Sequence, residues 1–272
     1  MIKISISIVT YNHKYAELEP TIKSILGCTS TFKLNIIDNS KFDVLRTKID
    51  PSQIDYIFNN SNIGFGAAHN IALKKAKNEG SKYHFVVNPD IHFEDGTIEK
   101  IIDFMELNSD IGLLMPIILY PNGNIQHLPK LLPTPIDLLI RRIGILRKVF
   151  FNRLSRYEME KHSDSMTFET PIVSGCFSCF RIEALKKTGL YDETFFMYFE
   201  DFDISRRIHK YYKTISFSGA SVFHEYERGA QKNSRLFKIF ISSAIKYFNK
   251  WGWFFDKERK RINKDALTQF ML

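Results

Sequence analysis

Cysteine is scarce: three residues in a chain of 272 are too few for a disulfide framework and fit a reducing compartment. Cys176 and Cys179 form a C-x-x-C, but no second pair exists to complete a zinc site. In a strand, residues three apart point to opposite faces, which also argues against chelation. Long apolar runs are missing too, and nothing approaches the roughly 18 consecutive apolar residues of a membrane-spanning helix. The opening stretch MIKISISIVTYN has one lysine, alternates like a strand, and lacks the apolar core and cleavage site of a secretory signal. Together these absences predict a cytoplasmic protein. The first strand runs into Thr-Tyr-Asn-His without the G-x-G-x-x-G of a dinucleotide-binding turn, which speaks against a NAD-type dehydrogenase.

What is present is the composition of a folded protein, 44% hydrophobic and 25% charged. The net charge of +8 is unevenly spread. Eleven Lys/Arg face two acids between Arg228 and Lys264, which leaves the remainder of the chain close to neutral, and within that remainder a smaller basic excess lies in 136–161. Such segregation points to an anionic partner: membrane lipid, nucleic acid or a phosphorylated substrate.

The first half alternates strand and helix signals. KISISIV, FKLNIID, IDYIF and YHFVV read as strands; ELEPTIKSILG, a short VLRTKI, GFGAAHNIALKKAKNEG and EDGTIEKIIDFMELN read as helices. Repeated β-α-β units imply an α/β fold with a mostly parallel sheet and helices on both faces. Beyond residue 120 the character changes. An amphipathic helix is expected in PIDLLIRRIGILRKVF, paired strands in TPIVSGCFSCFRI, and a long helix over 234–255.

Ligands of open α/β sheets bind at the carboxyl ends of the strands. Here those ends carry Thr10-Tyr11-Asn12, Asp38-Asn39-Ser40, Asn59 to Asn62 and Asn88-Pro89-Asp90. Each alone is a turn signal, but together they suit a polar ligand rich in hydrogen-bonding groups. A second concentration of chemistry is FFMYFEDFDISRR at 195–207, where Glu200, Asp201 and Asp203 sit in apolar surroundings. Carboxylates so placed are costly unless something uses or neutralises them.

The ordered set ISIVTYN, NIIDNS, SNIGFGAAHNIAL, FVVNPDI, VSGCFSCFRIEAL and FFMYFEDFDISRRI, covering roughly residues 4–226, resembles family 2 of the inverting nucleotide-sugar glycosyltransferases. Within it the chain looks most like bacterial rhamnosyltransferase-like enzymes of O-antigen and cell-wall polysaccharide assembly. The resemblance implies a GT-A catalytic domain over 1–227, with a nucleotide-binding half to about 119 and an acceptor-binding half from 120. A helical, basic C-terminal extension would occupy 228–272.

The same resemblance implies that Thr10, Tyr11, Asn12 and Asp38 flank the nucleobase, Tyr11 by stacking and Asp38 by accepting from the ring N–H. Asn62, Gly64, Gly66 and Asn70 would line the sugar nucleotide, with glycine permitting close approach. Asp90 would ligate Mg²⁺ or Mn²⁺, and Asn88, standing where the family's D-x-D motif has its first Asp, would bond the ribose. His224 would complete the metal site. Asp201 would be the base that deprotonates the acceptor hydroxyl, with Gly175, Glu200 and Asp203 on the acceptor side or Glu200 and Asp203 paired with Arg206 and Arg207. Arg228 or Lys232 would assist the departing diphosphate.

The implied reaction moves a sugar, rhamnose from dTDP-rhamnose, to a glycan or polyprenyl-diphosphate-linked acceptor. A UDP- or dTDP-hexose donor with a capsular or soluble acceptor is the nearest alternative. A nucleic-acid-binding protein is a third reading, but it leaves the acidic cluster unexplained, so no nucleic acid is expected as partner. The aromatic and cationic residues of 234–255 suit an anionic membrane surface, which would place the enzyme at the inner face of the cell membrane. The alternative for that helix is packing on the catalytic domain or on a second subunit of an oligomer.

Overall fold

Strand β1 (Ile4–Thr10) carries the opening alternation into the middle of the molecule. Ile4, Ile6 and Ile8 enter the principal apolar cluster, yet Ser5 and Ser7 on the other face are equally buried. Alternation usually marks a strand with one wet face. Here helix α2 (Phe65–Asn78) packs over β1. Ser7 Oγ lies 2.7 Å from His69 Nδ1 on that helix and 2.8 Å from His84 Nε2 on β4 (Tyr83–Val87). Two imidazoles replace water as partners of the buried hydroxyl.

The computed structural model describes residues 3–160, 166–225 and 234–270. Around β1 and β4 it adds β2 (Phe32–Asp38), β3 (Ile54–Phe58), β5 (Ile91–His92), β6 (Ile111–Leu119), β7 (Phe168–Glu169), β8 (Phe177–Arg181) and β9 (Lys213–His224). They form one sheet in the order β3-β2-β1-β4-β8-β6-β9-β5, with β7 against β9. β3, β2, β1 and β4 are mutually parallel, as the β-α-β repeats require, and β6 and β9 are parallel as well. β8 runs antiparallel between β4 and β6. Its amino end therefore meets the carboxyl end of β4, and Asn88 N donates to Cys176 O at 2.8 Å. Cys176 precedes β8, so its thiol joins Cys179 in one apolar cluster instead of pointing to the opposite face. Burial raises the pKa of both thiols, as expected of inert core residues.

Helices α1 (Tyr15–Leu26) and α3 (Thr97–Leu107) join α2 in covering the first half. VLRTKI yields only a 3-10 turn, Arg46–Lys48. The single amphipathic helix expected over PIDLLIRRIGILRKVF is instead two short ones, α4 (Pro135–Arg142) and α5 (Gly144–Val149), and a third, α6 (Phe151–Tyr157), follows. Thr134 caps α4 with proline in its first turn. Then come α7 (Ile182–Thr188), α8 (Glu200–Ile208), α9 (Ser234–Trp251) and α10 (Lys257–Thr268). α9 stops at Trp251, short of the expected 255, because Gly252 turns the chain at φ +100° and Asp256 caps α10.

The α9–α10 hairpin packs on α8. Ala244, Tyr247 and Phe248 share a buried cluster with Phe195 and Phe199. Arg206, 1% exposed, is held bidentately by Asp256 at 2.7 and 2.8 Å and lies 4.2 Å from the Trp251 ring.

Burial holds His69 well below the usual imidazole range and His84 down to about 3. Their neutral forms stabilise the fold above the unfolded pKa of about 6.5, and that contribution fades as pH falls below it. We expect stability to drop by about 1.4 kcal/mol per pH unit for each histidine below that point. Urea titrations between pH 7 and 4 should show His84→Gln losing part of this slope relative to the parent.

Candidate active site

At the end of β2 the chain has turned its own groups on Asp38. Oδ1 accepts from Thr10 Oγ1 at 3.0 Å, Ser40 N at 3.0 Å and Ser40 Oγ at 2.5 Å, while Tyr56 Oη reaches Oδ2 at 2.8 Å. Asp38 is fully buried and both its oxygens are engaged, so the direct nucleobase contact expected of it is not available in this arrangement. Thr10 is equally buried. Asp38 instead orders the loop from which Ser40 Oγ accepts Asn12 N at 2.7 Å. Tyr11, 46% exposed, keeps an open ring beside it.

The glycine motif shows the same inward turn. Gly64 adopts φ +94°, and a Cβ there would stand 2.3 Å from Phe196 O. A Cβ on Gly66 would meet Tyr191 at 2.9 Å. Asn70 is buried; its side chain donates to Tyr191 O and Glu193 Oε1 at 2.9 Å and accepts from Tyr191 N at 3.0 Å. Gly64, Gly66 and Asn70, expected against the sugar nucleotide, are thus packed against the 191–196 segment. Asn62 alone of the four is exposed, and its Oδ1 accepts from Gly64 N.

Asn88 and Asp90 leave β4 partly exposed. His224 Nε2 approaches Asp90 Oδ1 to 3.4 Å, and that oxygen is buried without a hydrogen-bond partner. Gln126 Nε2 donates to the carbonyls of Leu119 and His224, so its Oε1 is the acceptor for His224 Nδ1 at 3.1 Å. That bond puts the proton on Nδ1 and leaves the Nε2 lone pair facing a carboxylate oxygen. Two electron-rich atoms so placed fit a cation between them, with Gln126 fixing the ring as an outer partner. Among the described residues no third His, Cys, Asp or Glu joins them, so the described residues supply two ligands of such an ion. A cavity of about 540 Å³ opens on Asp90, lined also by His13, Glu17, His92 and Glu225; Asp201 is not on its wall.

Asp201 connects to the Asn88–Asp90 turn through two consecutive residues. Its Oδ2 accepts from Gly175 N at 3.3 Å, and the next residue, Cys176, accepts Asn88 N. Burial pushes the Cys176 thiol up to about 12, and the charges of both Asp90 and Asp201 add to the shift. Enclosure raises the Asp201 pKa to about 6, opposed by the amides of Gly175 and Phe202 and the Lys130 ammonium. Burial lowers Lys130 itself to about 7, with Nζ donating to the carbonyls of His127 and Leu128. Glu200 is driven well above the carboxylate range, first by burial and then by the Asp201 charge.

The residues expected on the acceptor side are enclosed. Glu200 is 5% exposed, Asp203 is fully buried, and Gly175 touches Phe65 and Asp201. Asp203 accepts from Arg207 Nε at 2.8 Å and Trp251 Nε1 at 2.9 Å and pairs with Lys250 at 2.8 Å. It pairs with Arg207 as anticipated, whereas Arg206 turns to Asp256 and Glu258. Arg228 and Lys232 lie outside the described residues.

A family model described as glycosyl transferase family 2 matches residues 5–189. The chain belongs to that family. Over 166 residues this glycosyltransferase is 29% identical to an N-acetylglucosaminyl-diphospho-decaprenol L-rhamnosyltransferase of Mycobacterium tuberculosis, covering 55% of the chain and 51% of the relative. Over 206 residues it is 24% identical to the low-salt glycan biosynthesis hexosyltransferase Agl10 of Haloferax volcanii, covering 74% and 61%. The chain thus spans half to three-fifths of these relatives. In fold it is similar to GalNAc-T7, solved with UDP, GalNAc and Mn²⁺ (TM-score 0.63, 16% identity, 93% of this chain and 50% of that one). It is also similar to S. aureus TarS (TM-score 0.60, 15% identity, 99% and 43%). The glycosyltransferase has the GT-A fold.

Sequence reasoning missed Tyr56, Lys130, Gln126 and the α9 residues that reach Asp203. Their local sequences carry no motif, and only Trp251, one of two tryptophans, was conspicuous. If Asp203 is a structural anchor, Asp203→Ala strands two cations and should cost about 2 kcal/mol, roughly 4–8 °C in thermal midpoint. An unchanged midpoint by calorimetry would show that the anchor is unimportant.

Proposed function

We propose that this glycosyltransferase moves a sugar from a nucleoside-diphosphate donor to a saccharide or lipid-linked saccharide hydroxyl, with inversion at the anomeric carbon. Asp201 is the base: it takes the acceptor proton as the hydroxyl oxygen bonds to the anomeric carbon and the diphosphate leaves on the opposite face. The observation that carries this reading is the Gly175–Cys176 link between Asp201 and the Asn88–Asp90 turn. Asp90 and His224 would hold a divalent cation, Mg²⁺ or Mn²⁺, which when bound offsets the diphosphate charge. The aromatic segment 195–199 shields the cleft from water that would hydrolyse the donor.

The donor we favour is dTDP-rhamnose in bacterial surface polysaccharide synthesis, by similarity to the mycobacterial rhamnosyltransferase. The likeness to Agl10 supports another hexose, from UDP or dTDP, as the second reading. Mass-spectrometric screening of nucleotide-sugar hydrolysis by the purified chain tests both. Asp201→Asn should still bind nucleotide in a thermal-shift assay yet lose transfer; transfer at the parent rate rules Asp201 out as base. For the parent, kcat/KM should rise about tenfold per pH unit below 6 and level off above 7, because the ionised carboxylate is the active form. Stabilisation by DNA alone would favour a nucleic-acid reading.

Contact with an anionic membrane surface belongs to the same proposal. No helix among the described residues is long and apolar enough to cross a membrane. Supporting surface contact, Ile143, Ile145, Val149 and Phe150 are exposed beside Arg142, Arg147 and Lys148. The Arg142 guanidinium lies 4.1 Å from the Phe237 ring of α9, which joins the two basic segments. The chain should co-sediment with phosphatidylglycerol vesicles and not with phosphatidylcholine ones, and Ile145→Asp with Val149→Asp should release it. Equal sedimentation of the double variant would refute this surface.

A further inference from the structure

The segment that delivers Asp201 ends in an unusual backbone. Tyr198 and Phe199 both adopt left-handed conformations, φ +70° and +68°, immediately before α8. Large side chains rarely enter that region, so the surrounding structure must hold them there. On one side the grip is α2 with its leading glycine: Phe65 N donates to Phe196 O, and Asn70 binds Tyr191.

On the other side the grip is α9. Ser243 Oγ donates to Met197 O at 2.8 Å, and Lys246 Nζ donates to Thr194 O at 2.6 Å. Lys250 Nζ pairs with Asp192 at 2.6 Å and with Asp203 at 2.8 Å. Positions 243, 246 and 250 share one helical face. Between them Tyr247 is buried, 5.4 Å ring to ring from Phe199. A helix that only covered an apolar surface would have no need of polar bonds on the carbonyls of 194 and 197 or on carboxylates flanking the catalytic turn.

We infer that α9 belongs to the support of the active site: its Ser243–Trp251 face is a positioning clamp that holds residues 192–203 in the conformation that sets Asp201 against Gly175, with Lys250 at its carboxyl end. Lys250 touches both ends of the clamped segment, ahead of the left-handed pair and behind Asp201. The catalytic part of this inference rests on the proposed role of Asp201; the structural part does not.

The test uses the full chain with Lys250→Met, Lys250→Arg and Trp251→Phe. Hydrogen exchange at the amides of 197–203 should accelerate by about tenfold in Lys250→Met and return towards the parent in Lys250→Arg. With the donor identified by the hydrolysis screen, kcat for transfer should fall about tenfold in Lys250→Met while donor KM stays within about twofold. Trp251→Phe, which removes the indole donor to Asp203, should act in the same direction. Parent-like exchange in Lys250→Met and Trp251→Phe would overturn the clamp. Faster exchange with parent kcat would overturn its catalytic role. Transfer at the parent rate by Asp201→Asn would instead sink the assignment of the base and leave the exchange result standing.

Discussion

Two neighbouring carboxyls, Glu200 and Asp201, start a helix inside a largely apolar pocket, and the rest of the structure is arranged around keeping them there. Burial disfavours the charge on each, and the charge of Asp201 adds to the burden on Glu200. Asp201 receives the greater compensation, from the amides of Gly175 and Phe202 and the Lys130 ammonium. Glu200 has only its own backbone amide to oppose the shift, and its Oε2 is without a hydrogen-bond partner. The asymmetry separates the two acids, so that one is suited to be ionised near neutrality while the other is neutral.

Holding that pair requires support from distant parts of the chain. β8, antiparallel in an otherwise largely parallel sheet, brings Gly175 to Asp201 and Cys176 to Asn88. Without the reversal the turn bearing Asp90 and the helix bearing Asp201 would have no common neighbour. Beneath α8, Arg206 and Asp203 are enclosed as charged groups, which is tolerable only because each is matched by several opposite or hydrogen-bonding partners. Those partners lie largely in the hairpin of α9 and α10, which the family match, ending at residue 189, does not include.

Much of what reads in the sequence as ligand chemistry is spent on the protein itself. Asp38 orders its own loop; Gly64, Gly66 and Asn70 shape the 191–196 segment; Asp203 anchors α9. Fewer of the expected site residues remain exposed or half-exposed: Tyr11, Asn12, Asn62, Asn88, Asp90 and Asp201. A motif records that a residue type is needed at a position. It does not say whether substrate or backbone needs it.

Local periodicity and short contiguous motifs are enough to specify the alternation of strands and helices in the first half, the family, and the polar edge at the ends of β1, β2 and β4. The sequence also placed Asp90 and His224 as a pair, a separation of well over a hundred residues that resemblance bridged. Periodicity could not tell that Ser7 is buried, since the partners that make burial tolerable, His69 and His84, come from other elements. Nor could it tell that residues 135–157 break into three helices. Tertiary structure alone decided which carboxylates stay open and which are sealed. Solvation of a charge depends on every group packed around it, and at Asp203 the decisive ones, Lys250 and Trp251, lie nearly fifty residues away along the chain.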